Sequence, residues 1–276
     1  MKSLIKMVLK KFNYEIFRIH DTRNNVVIQT VQPDIIDLRD ELLVAYKGNY
    51  LYSDFTDEEI EIIQKVRKFT LTSPERIVSL INAVKYIIKN KIPGDFVECG
   101  VWKGGSMMVV AYTLAKMGVN DRNLYLYDTY EGMSTPTEND VSYNNVTAEA
   151  QLLGIEKSNE YNILCYSSLA EVQNNLNLTK YNHSKIHFVK GKVENTIPGN
   201  LPSKIALLRL DTDWYESTYH ELVHLYPLLV KKGILIIDDY GHWKGCRKAT
   251  DLFFQENNEY PLFTRVDYTG RLAQKV

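Results

Sequence analysis

Residues 204–241 read KIALLRLDTDWYESTYHELVHLYPLLVKKGILIIDDYG. Two short apolar runs, IALLRL and GILII, flank a longer stretch, ESTYHELVHLYPLLV, whose apolar residues recur at helical spacing. Runs of this length bounded by polar residues read as buried strands, and a helix between them reads as the crossover that parallel strands require. Both predicted strands end in acid: Asp211 and Asp213 follow the first, Asp238 and Asp239 the second. In open α/β sheets ligands bind beyond the carboxyl ends of the strands, so these four side chains point to a site.

The same alternation extends in both directions. Upstream lie the predicted strands DFVECG, NLYLYD and KIHFVKG, with helices at SMMVVAYTLAKMG and SLAEVQNNL. Downstream comes a helix from about Trp243 to Asn257, and then a tail, PLFTRVDYTGRLAQKV, with a turn at Thr269-Gly270 suited to an antiparallel edge hairpin. Five short strands separated by helices predict an α/β, doubly wound, largely parallel sheet. Before it, Thr56 and Glu59 form a capping-box start for one helix, and Ser73-Pro74 starts another whose buried face is Ile77, Leu80, Ile81, Val84, Ile87 and Ile88. Residues 1–68 therefore read as an N-terminal helical extension and 69–276 as the catalytic domain.

The formal charge of −1 over 276 residues gives no general reason to bind nucleic acid. Three cysteines without C-x-x-C spacing indicate neither a disulfide framework nor a structural zinc site, which fits a reducing cytoplasm. In MKSLIKMVLKKF the lysines interrupt the apolar residues, so no membrane span or export signal is expected; an amphipathic helix packing on protein is the preferred reading.

The predicted strand ends hold Glu98-Cys99-Gly100, Asp128, Lys190-Gly191, Asp211-Thr212-Asp213 and Asp238-Asp239. Acidic groups gathered at one sheet edge repel unless cations or ligand hydroxyls are bound there. Asp211, Asp238 and Asp239 offer hard oxygen ligands suited to Mg²⁺, Mn²⁺ or Ca²⁺. Asp213 is the expected general base, with His242 a second candidate. The loop ECGVWKGGS permits close backbone approach to a ligand, and Asp128 suits the ribose of a nucleoside. Trp102, Trp214, Tyr215, Tyr240 and Trp243 flank the same ends and offer faces for a sugar or an adenine. A competing motif is His220-Glu221-Leu222-Val223-His224, a literal H-E-x-x-H, which by itself suggests a zinc hydrolase. Its apolar companions favour a packed crossover helix, and no third ligand stands out. A nucleoside-binding module without catalysis is the third reading.

Taken together, FTLTSPER, PGDFVECGVWKGGSMM, LYLYDTYEGM, FVKGKVENTIP, IALLRLDTDWYESTYHELVHLYPLL, GILIIDDYGHWKGCRKA and DYTG resemble the macrocin O-methyltransferase family, over about Phe69 to Gly270. The resemblance implies a class I methyltransferase fold, S-adenosylmethionine as cofactor, Mg²⁺ at Asp211, Asp238 and Asp239, and a hydroxyl on a sugar or glycoside as acceptor. It implies a cofactor site drawn from Ser73, Glu98, Gly100, Val101, Trp102, Ser106, Asp128, Thr129 and Gly191, with Asp213 as base. A homo-oligomer is expected on the same ground. The loop from Ser134 to Glu160 matches nothing tied to an acceptor.

Overall fold

The computed structural model describes residues 54–156 and 163–276. The amphipathic helix expected at the N-terminus lies outside the described residues. Residues 54–276 form one compact unit.

Helix α1 (Asp57–Val66) begins at the expected capping box: the Thr56 hydroxyl accepts from the Glu59 amide while the Glu59 carboxylate takes the Thr56 amide at 2.8 Å. Helix α2 (Pro74–Lys89) starts with proline at its first position, where the missing N–H is no loss, and Ser73 caps it by accepting from the Arg76 amide. Then follow β1 (Asp95–Cys99), α3 (Gly105–Lys116), β2 (Leu124–Asp128), α4 (Ala148–Leu152), α5 (Leu169–Asn177), β3 (Ile186–Lys190), α6 (Val193–Thr196), β4 (Ile205–Leu210), α7 (Tyr215–Leu225), β5 (Leu229–Ile237), α8 (Lys244–Glu256), β6 (Thr264–Arg265) and β7 (Arg271–Gln274). Helix α1 packs on α3, beside α2.

The seven strands are ordered β3-β2-β1-β4-β5-β7-β6, parallel through β5, with β7 antiparallel to both β5 and β6. This is the predicted doubly wound sheet with its edge hairpin. Strand order reverses between β1 and β4, which opens a crevice at their carboxyl ends. Register sets what lines it. Cys99 pairs with Leu210 and Leu210 with Ile237, so Gly100, Asp211 and Asp238 leave the sheet side by side. The ladder continues one step further, with the Asp211 amide donating to Cys99 and the Asp238 amide to Leu210, both at 2.9 Å.

One boundary differs from the sequence reading. The helix expected to run through Val230 stops at Leu225, passes through a 3₁₀ turn at Tyr226–Leu228, and β5 begins at Leu229. Pro227 is the reason, since it supplies no amide to the preceding turn and crowds the carbonyl four residues back.

Candidate active site

The crevice is a cavity of about 430 Å³ lined from both halves of the sheet. That is within the range of small-molecule sites. One wall is the β1–α3 turn. Gly100 has φ +80°, and a Cβ there would stand 2.0 Å from the Asp211 carbonyl oxygen, so only glycine lets β1 leave the sheet against the β4 loop. Asp128, at the end of β2, braces this turn: its Oδ2 accepts from the amides of Val101 (2.6 Å) and Trp102 (3.2 Å), and its Oδ1 from that of Tyr130 (2.6 Å). Thus much of the acceptor capacity assigned to ribose is used on backbone, which fixes the turn as well as facing the cavity. The segment Phe69–Thr72 lies over the same turn and lines the cavity.

The opposite wall is acidic. Ligand oxygens of Asp211, Asp238 and Asp239 lie within 4.8 Å of one another, as the strand ends predicted. Asp239 Oδ2 is buried and takes no hydrogen bond. Burial, then the charges of Asp213 and Asp238, push the Asp239 carboxyl well above its ordinary range. Asp213 has left-handed backbone, φ +66°, and accepts from Trp243 Nε1 at 2.8 Å. Burial and the neighbouring Asp211 raise its carboxyl to about 8, against that hydrogen bond. A non-glycine residue held at positive φ stores strain that the surroundings must enforce.

Two arginines balance part of this charge. Arg209, a buried cation in the otherwise apolar β4, contacts Glu98 (2.6 Å), Asp211 (2.7 Å) and Asp238 (2.7 Å). Arg76, from the first turn of α2, contacts Asp238 and also Asp267 at 2.9 Å. Burial opposes ionisation of Asp238, but Arg209 and Arg76 outweigh it and hold its carboxyl below the usual range. Even so, six carboxyl groups (Glu98, Asp211, Asp213, Asp238, Asp239, Asp267) gather around two guanidinium groups. The mismatch, the hard oxygen donors and the orphaned Asp239 oxygen fit a divalent cation.

Of the expected site residues, Gly100, Val101, Trp102, Ser106, Asp128, Thr129, Gly191, Asp211, Asp213, Asp238, Asp239 and His242 line the cavity. Ser73 and Glu98 do not. The Ser73 hydroxyl caps α2 and donates to Asp267 at 2.8 Å, so it tethers the segment over the cavity rather than facing it. Glu98 is 1% exposed beneath the floor, paired with Arg209; burial lifts its carboxyl to about 7 against that partner. Of the aromatic residues, Trp102, Trp214 and Trp243 line the cavity, while Tyr240 stacks on Phe263 and Tyr215 on Tyr219.

The H-E-x-x-H stretch is not arranged as a zinc site. Glu221 is fully buried and accepts from the Thr212 hydroxyl at 3.1 Å, whereas His220 Nε2 meets the Ile197 carbonyl at 3.1 Å. The zinc-hydrolase reading therefore falls: the glutamate faces the β4 loop and the core, and α7 is a packed crossover helix. Sequence reasoning does not single out Arg209, which holds the acidic wall, or Cys165 and Tyr268, which line the cavity. A cation inside an apolar strand was the available signal for Arg209; the other two carried none.

This strand order and crevice define a class I methyltransferase fold, as in the solved O-methyltransferase NovP, which superposes with a TM-score of 0.66 at 25% identity and covers 87% of this chain and 99% of that one. Residues 64–275 match the Macrocin-O-methyltransferase (TylF) family, and the chain belongs to that family of O-methyltransferases. Among its relatives, the 8-demethyl-8-(2,3-dimethoxy-alpha-L-rhamnosyl)-tetracenomycin-C 4'-O-methyltransferase of Streptomyces olivaceus is 32% identical over 73% of this chain and 73% of its own. The mycinamicin III 3''-O-methyltransferase of Micromonospora griseorubida is 28% identical over 85% of this chain and 95% of its own.

Proposed function

We propose that this O-methyltransferase is S-adenosylmethionine- and Mg²⁺-dependent and methylates a hydroxyl on the sugar of a glycosylated natural product or related glycoside. The observation that carries the reading is the cluster of Asp211, Asp238 and Asp239 at the edge of a nucleoside-sized cavity, with Asp213 beside it. The sugar-modifying relatives support the choice of acceptor. When bound, S-adenosylmethionine supplies the electrophilic methyl group, and the metal acidifies the acceptor hydroxyl.

The residues divide the work. Gly100, Val101, Trp102, Ser106, Thr129 and Gly191 would hold the cofactor, on a turn set by Asp128. Asp211, Asp238 and Asp239 would hold the cation, with Arg209 and Arg76 fixing the Asp238 carboxylate between them. Asp213 would take the hydroxyl proton, its carboxylate aimed by Trp243. Much of the acceleration then comes from positioning in a pre-formed site. A cytoplasmic homo-oligomer belongs to the same reading; among the described residues no helix is long and apolar enough to cross a membrane.

The test is calorimetry with S-adenosylmethionine, with and without Mg²⁺, on the full chain and on Asp211→Asn and Asp239→Asn. Each variant is expected to keep cofactor affinity within a few-fold while losing Mg²⁺ binding and methylation of sugar acceptors. Equal loss of cofactor binding in both variants would argue against a separate metal role. No cofactor binding by the unaltered chain would remove the reading.

A further inference from the structure

Two aromatic rings of the cavity lining, His242 and Tyr268, are used by neither the cofactor turn nor the carboxylate cluster, and a third ring, Tyr143, packs against both. Tyr143 is 60% exposed and Tyr268 is 55% exposed, in contrast to Trp214 and Trp243 deeper in the site at 2% and 4%. These exposed rings are nonetheless fixed. His242 Nδ1 and the Tyr268 hydroxyl are 2.9 Å apart. Tyr143 meets His242 edge-on, with centroids 5.4 Å apart, and Tyr268 at 6.4 Å; His242 in turn stands edge-on to Trp243 at 4.9 Å.

Three separate stretches of chain converge to build this arrangement. Ser142 bridges to Trp243 as an antiparallel pair, and the Lys244 amide donates to the Val141 carbonyl at 2.8 Å. The Gly241 amide donates to the Thr269 carbonyl at 2.8 Å, and a Cβ on Gly241 would stand 1.9 Å from the Tyr268 carbonyl oxygen, so glycine is required for the hairpin turn to reach the site. The rings also adjoin the acidic cluster. The His242 amide donates to the Asp239 carbonyl at 2.9 Å, and Tyr268 follows Asp267, which shares Arg76 with Asp238. His242 and Tyr268 line the cavity together with Asp239.

Large rings held rigidly in water beside a ligand cavity are suited to a partner with one apolar face and one polar edge. A pyranose has this form: axial C–H bonds on its face, hydroxyls around its edge. We infer that Tyr143, His242 and Tyr268 form the platform on which the acceptor's pyranose ring stacks, turning its hydroxyl edge toward Asp211, Asp238 and Asp239. The inference rests on the proposed function and goes further by assigning acceptor binding to Tyr143, in a loop whose sequence matched no acceptor motif.

The test uses methyl α-L-rhamnopyranoside as probe, with the full chain, S-adenosylhomocysteine and Mg²⁺, read by saturation-transfer NMR with calorimetry of S-adenosylmethionine alongside. The sugar ring protons are expected to receive saturation from the unaltered chain. Tyr143→Ala and Tyr268→Ala should each reduce the transfer at least fivefold, with cofactor affinity unchanged within twofold. Tyr143→Phe should retain it, because stacking needs the ring and not the hydroxyl. Tyr143 is exposed, so its variant keeps the test decisive if Tyr268→Ala does not fold. Absent transfer with intact cofactor binding, or transfer unchanged in Tyr143→Ala, would overturn the platform. Failure of the unaltered chain to bind cofactor would instead overturn the proposed function.

Discussion

Glu221 shows how one side chain inside the crossover helix reaches the chemistry. Its carboxyl is fully buried, accepts the Thr212 hydroxyl at 3.1 Å, and leaves Oε1 without a hydrogen bond. Burial pushes this carboxyl well above its ordinary range, against the hydrogen bond from Thr212. Thr212 lies between Asp211 and Asp213, and the tie therefore restrains the strained turn that carries Asp213 at φ +66°. A neutral amide of the same shape offers the same carbonyl acceptor. Glu221→Gln should accordingly melt within about 1 kcal/mol of the parent, whereas Glu221→Ala leaves Thr212 unpaired and opens a cavity, a loss of about 2–4 kcal/mol. Denaturant unfolding of the two variants separates these outcomes; equal losses would show that Glu221 acts through its charge.

At the scale of elements, α7 starts without a side-chain cap of its own, since Trp214 occupies that position. Asp140 provides the missing acceptor from the β2–α4 connection: Oδ1 takes the Tyr215 amide at 2.8 Å, while Oδ2 takes the Thr137 amide and hydroxyl at 2.7 and 3.0 Å. Trp214 Nε1 adds a bond to the Ser134 carbonyl at 3.0 Å. Asp140→Ala should therefore cost about 1–2 kcal/mol and open the 134–147 connection to proteolysis before the sheet unfolds. Denaturation beside limited proteolysis checks both parts. Here the sequence was least legible. Strands, crossover helices and the acidic strand ends follow from periodicity and position, because sheet register carries Asp211 and Asp238 to one edge. The capping role of Asp140, the inward reach of Arg76, and the meeting of Tyr143 with Tyr268 all depend on side chains brought together across more than 70 residues. Local pattern does not encode such contacts. H-E-x-x-H misleads for the opposite reason: its spacing is local, but the packing of α7 decides which way the glutamate faces.

For the whole molecule, the unbalanced charge at the switch point makes stability depend on ligand. Arg209 and Arg76 hold Asp238, and Arg209 also reaches Asp211, while Asp211, Asp213 and Asp239 crowd one another at the half-buried edge of the cavity. Whatever binds the folded chain and not the unfolded one stabilises it by mass action, about 2.7 kcal/mol at a hundredfold excess over Kd. For a unit of this size each kcal/mol raises Tm by roughly 2–4 °C. S-adenosylmethionine and Mg²⁺ at that excess should together raise Tm by about 10 °C or more, and a chelator should remove the metal's share alone. In Asp239→Asn the cofactor's share should persist while the metal's share vanishes. A thermal scan of parent and variant across the four ligand conditions reads both shares at once. A metal effect of the same size in Asp239→Asn would place the cation elsewhere in the fold and detach it from the three strand-end carboxylates.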